Sequence, residues 1–221
     1  MGIQERKERE KEQRIEEILD AAQKVFFEKG LLVATMDEIA EAAELSKGTL
    51  YIYYKSKEDL YMAVMMRGSR VLYDKMKDAI ASASTSLERI RSLGNAYMEF
   101  FKTSPNYFRM IHFSQLPHFH KQVSDEMRES CSVEHRKIWE MVIGLFQTAI
   151  EEKLIRPDFN PAELAIILWS SGTALMLRID NEYQVWKERM NIDLQKTLES
   201  SNRLLFEAIL TEQGRLQWGA R

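Results

Sequence analysis

The sequence is poor in cysteine, proline and glycine: its 221 residues include one cysteine, 4 prolines and 9 glycines. The lone Cys131 excludes an internal disulfide framework, which favours a reducing cytoplasm as the location. Few prolines and glycines leave room for long uninterrupted helices. No segment alternates apolar and polar residues between turn signals, so no strand is predicted. We therefore expect an all-α protein.

Long hydrophobic runs are also missing. The first fourteen residues are nearly all charged or polar, so we expect no signal peptide. The most apolar run, residues 164–177, is interrupted by four small or polar residues at positions 170–173. It is too short and too polar to predict a membrane-spanning helix, and we expect no membrane partner.

No arrangement of residues typical of an enzyme is present. The sequence shows no nucleophile paired with a base, no phosphate-binding loop and no pair of acids. Cys131 and His135 lie one helical turn apart, and His118 and His120 flank Phe119, so a zinc site is one interpretation. No second cysteine supports it, nor a redox role for Cys131. We predict no metal site, no cofactor and no enzymatic activity.

Acidic residues are absent from a short stretch of the sequence, residues 45–57. The chain has a net charge of −3, and residues 1–60 hold more acids than bases, so a basic domain typical of nucleic-acid binding is missing. Residues 45–57, however, contain no acid, and they include Lys47, Lys55, Lys57 and three tyrosines. Because salt screens distant charges, such a local patch can still bind phosphates.

Helical periodicity and capping signals divide the chain into about nine helices. The first is predicted to run from Ile15 to a stop at Gly30. Thr35 followed by Glu38 predicts a capping box, and Ser46 begins the next helix as its cap. A fourth helix follows at residues 57–81. The later helices are predicted at roughly residues 87–103, 106–114, 123–153, 162–181 and 194–210.

Residues 15–60 resemble the N-terminal domain of the TetR family of bacterial transcriptional regulators. The resemblance rests on AAQKVFFEKG at residues 21–30 and on TMDEIAEAAELSKGTLYIYYKSK at residues 35–57. It implies a three-helix helix-turn-helix DNA-binding domain over residues 1–56, with its motif at residues 35–54. Residues 57–221 would form a larger helical ligand-binding and dimerisation domain, to which residues 57–81 connect.

The resemblance also implies which residues contact DNA. Thr35 would contact a phosphate, Lys47 and Thr49 would face base edges, and two tyrosines with Lys57 would hold the backbone. Ser46 caps the reading helix and Gly48 permits close approach. The expected DNA-binding residues are Thr35, Ser46, Lys47, Gly48, Thr49, Tyr51, Tyr53 and Lys57.

Three further positions in this segment have separate expectations. Leu50 and Tyr54 would belong to the core of the small domain. The family often has glycine at the position of Glu44, so Glu44 would adopt a positive φ at a cost of about 1 kcal/mol. It would also place an acid near the DNA.

The resemblance implies an inducer cavity in the C-terminal body, whose many aromatic and methionine side chains favour an apolar or aromatic ligand. Arg109, His112 and Arg178 could bind its polar end. The candidate lining residues are Tyr97, Phe101, Phe108, Arg109, His112, Trp139, Phe146, Trp169 and Met176.

Two apolar stripes on the last two predicted helices are candidates for a two-fold interface, with their own domain as the alternative partner. Dimers are expected because helix-turn-helix proteins usually read two half-sites. The stripe residues are Leu164, Ile167, Leu168, Ser171, Leu175, Leu194, Leu198, Ser201, Leu205 and Ile209.

Together these features predict a cytoplasmic transcriptional repressor that binds double-stranded operator DNA as a homodimer and is released by an apolar or aromatic small molecule. The helix at residues 57–81 would transmit the signal. One alternative is a DNA-binding regulator without a small-molecule inducer, whose body binds other proteins. Another is a helical enzyme, against which the missing catalytic residues argue.

Overall fold

The computed structural model describes residues 2–114, 119 and 121–219, and within them it contains ten α-helices and no strand beyond one isolated bridge. The all-α prediction is confirmed. The helices are α1 (Ile3–Val33), α2 (Met36–Ala42), α3 (Lys47–Tyr53), α4 (Lys57–Ala81), α5 (Ser86–Thr103), α6 (Pro105–Phe113), α7 (Asp125–Glu151), α8 (Pro161–Met190), α9 (Leu194–Ile209) and α10 (Glu212–Gly219).

The predicted stop at Gly30 appears as a break inside α1. Gly30 has φ 71° and ψ 170°, which is not helical, and it is a conformation that glycine adopts with little strain. One further turn follows, closed by a hydrogen bond of 3.2 Å from the N–H of Ala34 to the carbonyl of Gly30. This turn leads directly to Thr35, the N-cap residue of α2.

The end of α8 differs from the prediction by about two and a half turns. Residue 181 was expected to end the helix, but α8 continues to Met190. Across that point, Glu182 pairs with Arg178 at 2.7 Å and accepts a hydrogen bond of 2.7 Å from the indole N–H of Trp186. Side-chain pairs four residues apart support a polar helix, which the pattern of apolar residues alone does not reveal.

The sequence did not predict α10. It follows an antiparallel bridge between Ile155 and Leu210. Thr211 then caps it, since its hydroxyl accepts a hydrogen bond of 3.0 Å from the N–H of Gly214. A cap formed by threonine at a chain end with few apolar residues is a weak signal, which explains why the helix was missed.

The chain divides into two compact units. The first unit combines Met1–Tyr73 with Lys102–Arg136, and the second combines Asp74–Phe101 with Lys137–Arg221. The predicted boundary after residue 56 does not coincide with this division, because the first part of α4 belongs to the same unit as α1–α3. The second unit has its own core, in which Phe100, Phe146 and Ile155 are almost fully buried.

Within the first unit, α1 contacts α4 and α6. The guanidinium of Arg67 on α4 donates to the side chains of Glu16, Asp20 and Gln23 on α1, with 2.6 Å to Asp20. The hydroxyl of Tyr107 on α6 also donates to Gln23. These polar contacts surround a buried aromatic core and fix the position of α1.

Candidate DNA interface and ligand cavity

The predicted capping box at the start of α2 is confirmed. The N–H of Glu38 donates to Oγ1 of Thr35 at 3.3 Å, and the N–H of Thr35 donates to Oε2 of Glu38 at 3.0 Å. A hydrogen bond of 2.8 Å from Lys29 reaches the same carboxylate. The Lys29 bond and, after it, the Thr35 backbone N–H lower the pKa of Glu38.

The turn between α2 and α3 depends on a left-handed residue. Glu44 has φ 54°, as expected. The turn closes with a hydrogen bond of 2.9 Å from the N–H of Leu45 to the carbonyl of Ala40. Such a tight turn sets the direction of the helix that follows.

Ser46 begins α3 as its cap, which agrees with the prediction. Its hydroxyl oxygen accepts from the N–H of Thr49 at 3.1 Å and lies 2.8 Å from Oγ1 of Thr49. Leu50 is fully buried and Tyr54 is 8% exposed, so the core assignment of both is confirmed. Burial raises the pKa of Tyr54 to about 12. The other side of this short helix is free of the core.

The predicted DNA-binding residues lie on α3 and at the starts of α2 and α4, and all of them reach the surface. Thr35, Ser46, Lys47, Gly48 and Tyr51 are exposed, while Thr49, Tyr53 and Lys57 are half-buried. A Cβ atom added to Gly48 would meet only Oγ of Ser46, at 3.8 Å. Internal packing therefore does not require glycine at this position, and the surface around it is open.

The lysines near α3 have internal partners that the sequence analysis missed. Lys47 forms an ion pair of 2.9 Å with Asp37 of α2, and Lys55 forms one of 2.6 Å with Glu126 of α7. The hydrogen bond with Asp37 raises the pKa of Lys47. The acid-free stretch is thus partly neutralised by carboxylates from elsewhere in the chain, so its positive charge is weaker than the sequence suggests.

Lys57 also has a structural contact. Its ammonium donates a hydrogen bond of 2.8 Å to the backbone carbonyl of Ala34. This bond joins the start of α4 to the residue before Thr35. A phosphate contact by Lys57 remains a prediction, but the side chain has a second role in positioning the capped start of α2.

A cavity of about 360 Å³ lies within the second unit. Its wall is mostly apolar and carries a few polar groups, including two arginines. The lining residues are Ile90, Arg91, Leu93, Gly94, Asn95, Tyr97, Met98, Val142, Phe146, Ala165, Leu168, Trp169, Gly172, Met176, Glu199, Asn202, Arg203, Phe206 and Trp218.

Four of the nine predicted lining residues line this cavity: Tyr97, Phe146, Trp169 and Met176. Five do not. Phe101 and Trp139 belong to the second unit without lining the cavity, and Trp139 instead packs against Trp169 at 5.6 Å between ring centroids. The remaining three belong to α6 in the first unit: Phe108 is buried in its core, Arg109 is exposed and His112 is half-buried.

Aromatic contacts shape the cavity wall. The rings of Tyr97 and Trp169 stack at 4.3 Å, and the hydroxyl of Tyr97 lies 2.7 Å from Oγ1 of Thr173. Burial raises the pKa of Tyr97, which keeps the phenol neutral. At another side, the guanidinium of Arg91 lies over the ring of Trp218 at 3.8 Å. The missed α10 therefore supplies part of the wall.

The structure corrects the predicted dimer stripes. Leu164, Leu194, Leu198 and Ile209 are each at most 6% exposed within a single chain, so they offer almost no surface to a second copy. Five more of the predicted residues are half-buried, namely Leu168, Ser171, Leu175, Ser201 and Leu205, and the predicted Ile167 is 48% exposed. The strongly exposed apolar side chains of the same helices are Ile166, Ile167, Val185, Met190 and Leu204.

By length and composition, α8 could cross a membrane, contrary to the prediction from its apolar run. The rest of its structure argues for a protein environment. Ala165 and Met176 are buried in the second unit, and Asn160 caps the helix through hydrogen bonds to the N–H groups of Ala162 and Glu163. Core helices of globular proteins pass the same test of length and composition.

The cysteine and histidine pair on α7 shows no sign of a metal site. Sγ of Cys131 lies 3.8 Å from Nδ1 of His135, and no cluster of three metal-ligating side chains occurs among the described residues. Burial raises the pKa of the Cys131 thiol to about 11. His118 and His120 lie outside the described residues.

Known proteins resemble this chain in sequence and in fold. The sequence model for "Bacterial regulatory proteins, tetR family" matches residues 18–64. The HTH-type transcriptional activator FasR of Mycolicibacterium smegmatis is 33% identical over 101 residues, 46% of each chain, so the match spans less than half of FasR. The HTH-type transcriptional repressor KstR2 of Mycobacterium tuberculosis is 27% identical over 158 residues, which are 65% of this chain and 70% of KstR2.

A solved structure extends the similarity to most of the chain. FadR from Bacillus subtilis, in complex with stearoyl-CoA, superimposes with a TM-score of 0.63 over 86% of this chain and 96% of FadR, at 19% identity. At that identity, the likeness concerns the fold.

Proposed function

We propose that this chain, which belongs to the tetR family of bacterial regulatory proteins, is a cytoplasmic transcriptional repressor that binds operator DNA as a homodimer and releases it when a small molecule binds. The observation that carries the proposal is α3. Its cap, its buried Leu50 and its exposed outer face, on which Thr49 and Tyr51 flank Ile52, make it suitable for entering the major groove.

The exposed apolar side chains of α8 and α9 support a dimer. Ile166, Ile167 and Leu204 are 54%, 48% and 65% exposed. A second copy could cover them through a two-fold interface, in which the apolar residues of α8 and α9 in one copy pack against those of the other copy. Two copies would present two α3 helices to two half-sites.

The cavity supports a ligand with an apolar body and an anionic end. Its volume of about 360 Å³ lies near the lower end of the range for small-molecule sites, about 300–1,000 Å³. Arg91 and Arg203, which both line the cavity, could bind phosphate or carboxylate oxygens. We propose an acyl thioester of coenzyme A, the class to which the stearoyl-CoA bound by FadR belongs.

Release of DNA requires that the ligand bind one conformation of the dimer more tightly than the other. We propose that the preferred conformation spaces the two α3 helices incorrectly for the operator. The helix that transmits the change is α4, which carries residues of both compact units. The size of the effect is limited by the difference between the two affinities.

The DNA proposal is tested with the full-length protein and a library of random duplexes. Repeated selection should enrich one sequence with two related half-sites. Binding to it should weaken in Lys47→Ala and Tyr51→Ala. The slope of log affinity against log salt should fall by about 1 in Lys47→Ala and stay unchanged in Tyr51→Ala, because only a cation releases counterions from phosphate. Lys196→Ala, on α9, is the matched control and should bind normally. If no sequence is enriched, the protein is not an operator-binding regulator.

The ligand proposal is tested by adding stearoyl-CoA to the complex with the selected duplex. Release should occur with stearoyl-CoA and not with free coenzyme A. Gly172→Leu should lose the response and keep operator binding, because a Cβ at Gly172 meets no atom within 4 Å and the larger side chain would fill the cavity. Gly144→Leu is the control, since Gly144 is also open and does not line the cavity. If stearoyl-CoA does not change the operator affinity of the unaltered protein, that result would favour a regulator that responds to protein partners.

A further inference from the structure

The outward face of α3 is centred on a residue without a role in the fold. An α-helix turns by about 100° per residue, so Ile52 lies nearly opposite the buried Leu50. Gly48 precedes Ile52 by four residues and lies one turn away on the same face. Ile52 is 81% exposed, whereas Leu50 is fully buried. The side of α3 that faces away from the core is therefore an isoleucine next to a glycine.

Gly48 leaves open space beside Ile52 on this face of α3. A Cβ added to Gly48 would meet only Oγ of Ser46, at 3.8 Å, so the space one turn before Ile52 is open. The Ile52 side chain itself is 81% exposed. Thr49 and Tyr51 lie on either side of Ile52 around the helix and flank it with polar groups.

The major groove of DNA displays one apolar group, the C5 methyl of thymine, among hydrogen-bond donors and acceptors. An exposed branched aliphatic side chain at the centre of a groove-facing helix matches that methyl group. Polar side chains around it match the neighbouring base edges and phosphates.

We propose that Ile52 contacts a thymine methyl group and so determines the preference for an A·T pair at one position of each half-site. This inference rests on the proposed operator binding. Ile52 is then a specificity-determining residue, while the lysines and tyrosines near it position the helix on the backbone.

The test removes only the methyl group. The selected duplex is prepared with each thymidine replaced in turn, in both half-sites, by deoxyuridine, which pairs with adenine in the same way. With the unaltered protein, one position should lose affinity by about fourfold per half-site, the effect of exposing one buried methyl group. Ile52→Ala should bind the original duplex more weakly and should be insensitive to deoxyuridine at that position.

Val133→Ala is the matched control, because Val133 is a branched apolar residue of α7 that is 43% exposed. It should keep the sensitivity of the unaltered protein. Both variants should melt normally, since both side chains are exposed. Absence of any enriched sequence would overturn operator binding and this inference together. An enriched sequence with no position sensitive to deoxyuridine, or Ile52→Ala with unchanged sensitivity, would overturn the role of Ile52 alone.

Discussion

The carboxylate of Asp59 accepts a hydrogen bond of 2.7 Å from the backbone N–H of Ser124. Asp59 lies in the first turn of α4 and is 3% exposed, and Ser124 immediately precedes α7. The N–H of Asp59 donates in turn to Oγ of Ser56 at 3.0 Å. The starts of two long helices are therefore joined through one buried carboxylate, close to the exit from α3.

Asp59→Ala should lower the free energy of unfolding by about 1–3 kcal/mol, because it leaves a partly buried N–H without its acceptor. Asp59→Asn retains one oxygen and should cost less. Chemical denaturation measures both. Asp74→Asn, at an exposed position of the same helix, should change stability by no more than about 0.5 kcal/mol. Equal effects at the two positions would show that the Ser124 contact contributes nothing.

Gly68→Ala should destabilise the first unit by about 1–3 kcal/mol. A Cβ at this position of α4 would lie 2.6 Å from Cγ and 2.9 Å from Cβ of Tyr107, so the two helices would have to separate. Tyr107 also packs edge-on against Phe27 at 5.1 Å, which limits its movement.

The control for this prediction is Gly144→Ala on α7, where an added Cβ meets no atom within 4 Å. Alanine there should raise stability by about 0.5–1 kcal/mol, since it restricts the unfolded chain more than glycine does. Thermal melts distinguish the two signs. A stabilised Gly68→Ala protein would mean that α4 and α6 do not pack closely at this point.

Glu44→Gly should have two separable effects. Glycine relieves the positive φ of 54° and should stabilise the protein by about 1 kcal/mol. Loss of the carboxylate should also tighten DNA binding at low salt, because an acid near the DNA face repels phosphates. Glu44→Asn tolerates the same backbone and removes only the charge.

Lys153→Gly is a control for the backbone effect alone. Lys153 has φ 60° and belongs to the second unit, so glycine should stabilise it similarly without changing operator affinity. Melting temperature and fluorescence anisotropy report the two effects. DNA binding that follows stability in all three variants would contradict the electrostatic part of the prediction.

Cys131 should resist alkylation in the folded protein. Burial raises the pKa of its thiol from 9.0 to about 11, so the reactive thiolate should be about a hundredfold scarcer at neutral pH than in the unfolded chain. The rate with a thiol reagent, measured with and without denaturant, gives the comparison. Rapid labelling of the folded protein would support a redox role.

The same shift has a consequence for stability. The folded state holds the thiol proton more tightly than the unfolded state, and this difference stabilises the folded protein. The stabilisation is complete below about pH 9 and is lost as the pH rises from about 9 to about 11. Cys131→Ala should lack this part of the alkaline destabilisation.

Local signals made the structure of the helix-turn-helix segment, residues 35–54, predictable from the sequence. The caps at Thr35 and Ser46 act through residues three positions away, so the sequence contains each interaction in full. The positive φ of Glu44 was expected from the resemblance, because the family often has glycine at this position, and it is observed at 54°. Periodicity likewise identified Leu50 as core.

Contacts between distant positions were not predictable. The partner of Lys47 is ten residues away and that of Lys55 is 71 residues away, and nothing in the local pattern identifies either carboxylate. The prediction of the cavity-lining residues was partly wrong for the same reason. Phe108 and Phe146 are both fully enclosed aromatic residues, and only tertiary structure places Phe146 at the cavity and Phe108 in a different core.

The internal pairing of the lysines bears on how selectively the protein binds its site. Nonspecific affinity for DNA comes from cations that displace counterions from phosphates. A lysine already held by Asp37 must leave that carboxylate first, so Lys47 adds less to binding at random sequences. Encounters with random DNA are then shorter. In the proposed regulator, the weak positive charge near α3 would thus raise the ratio of operator affinity to nonspecific affinity.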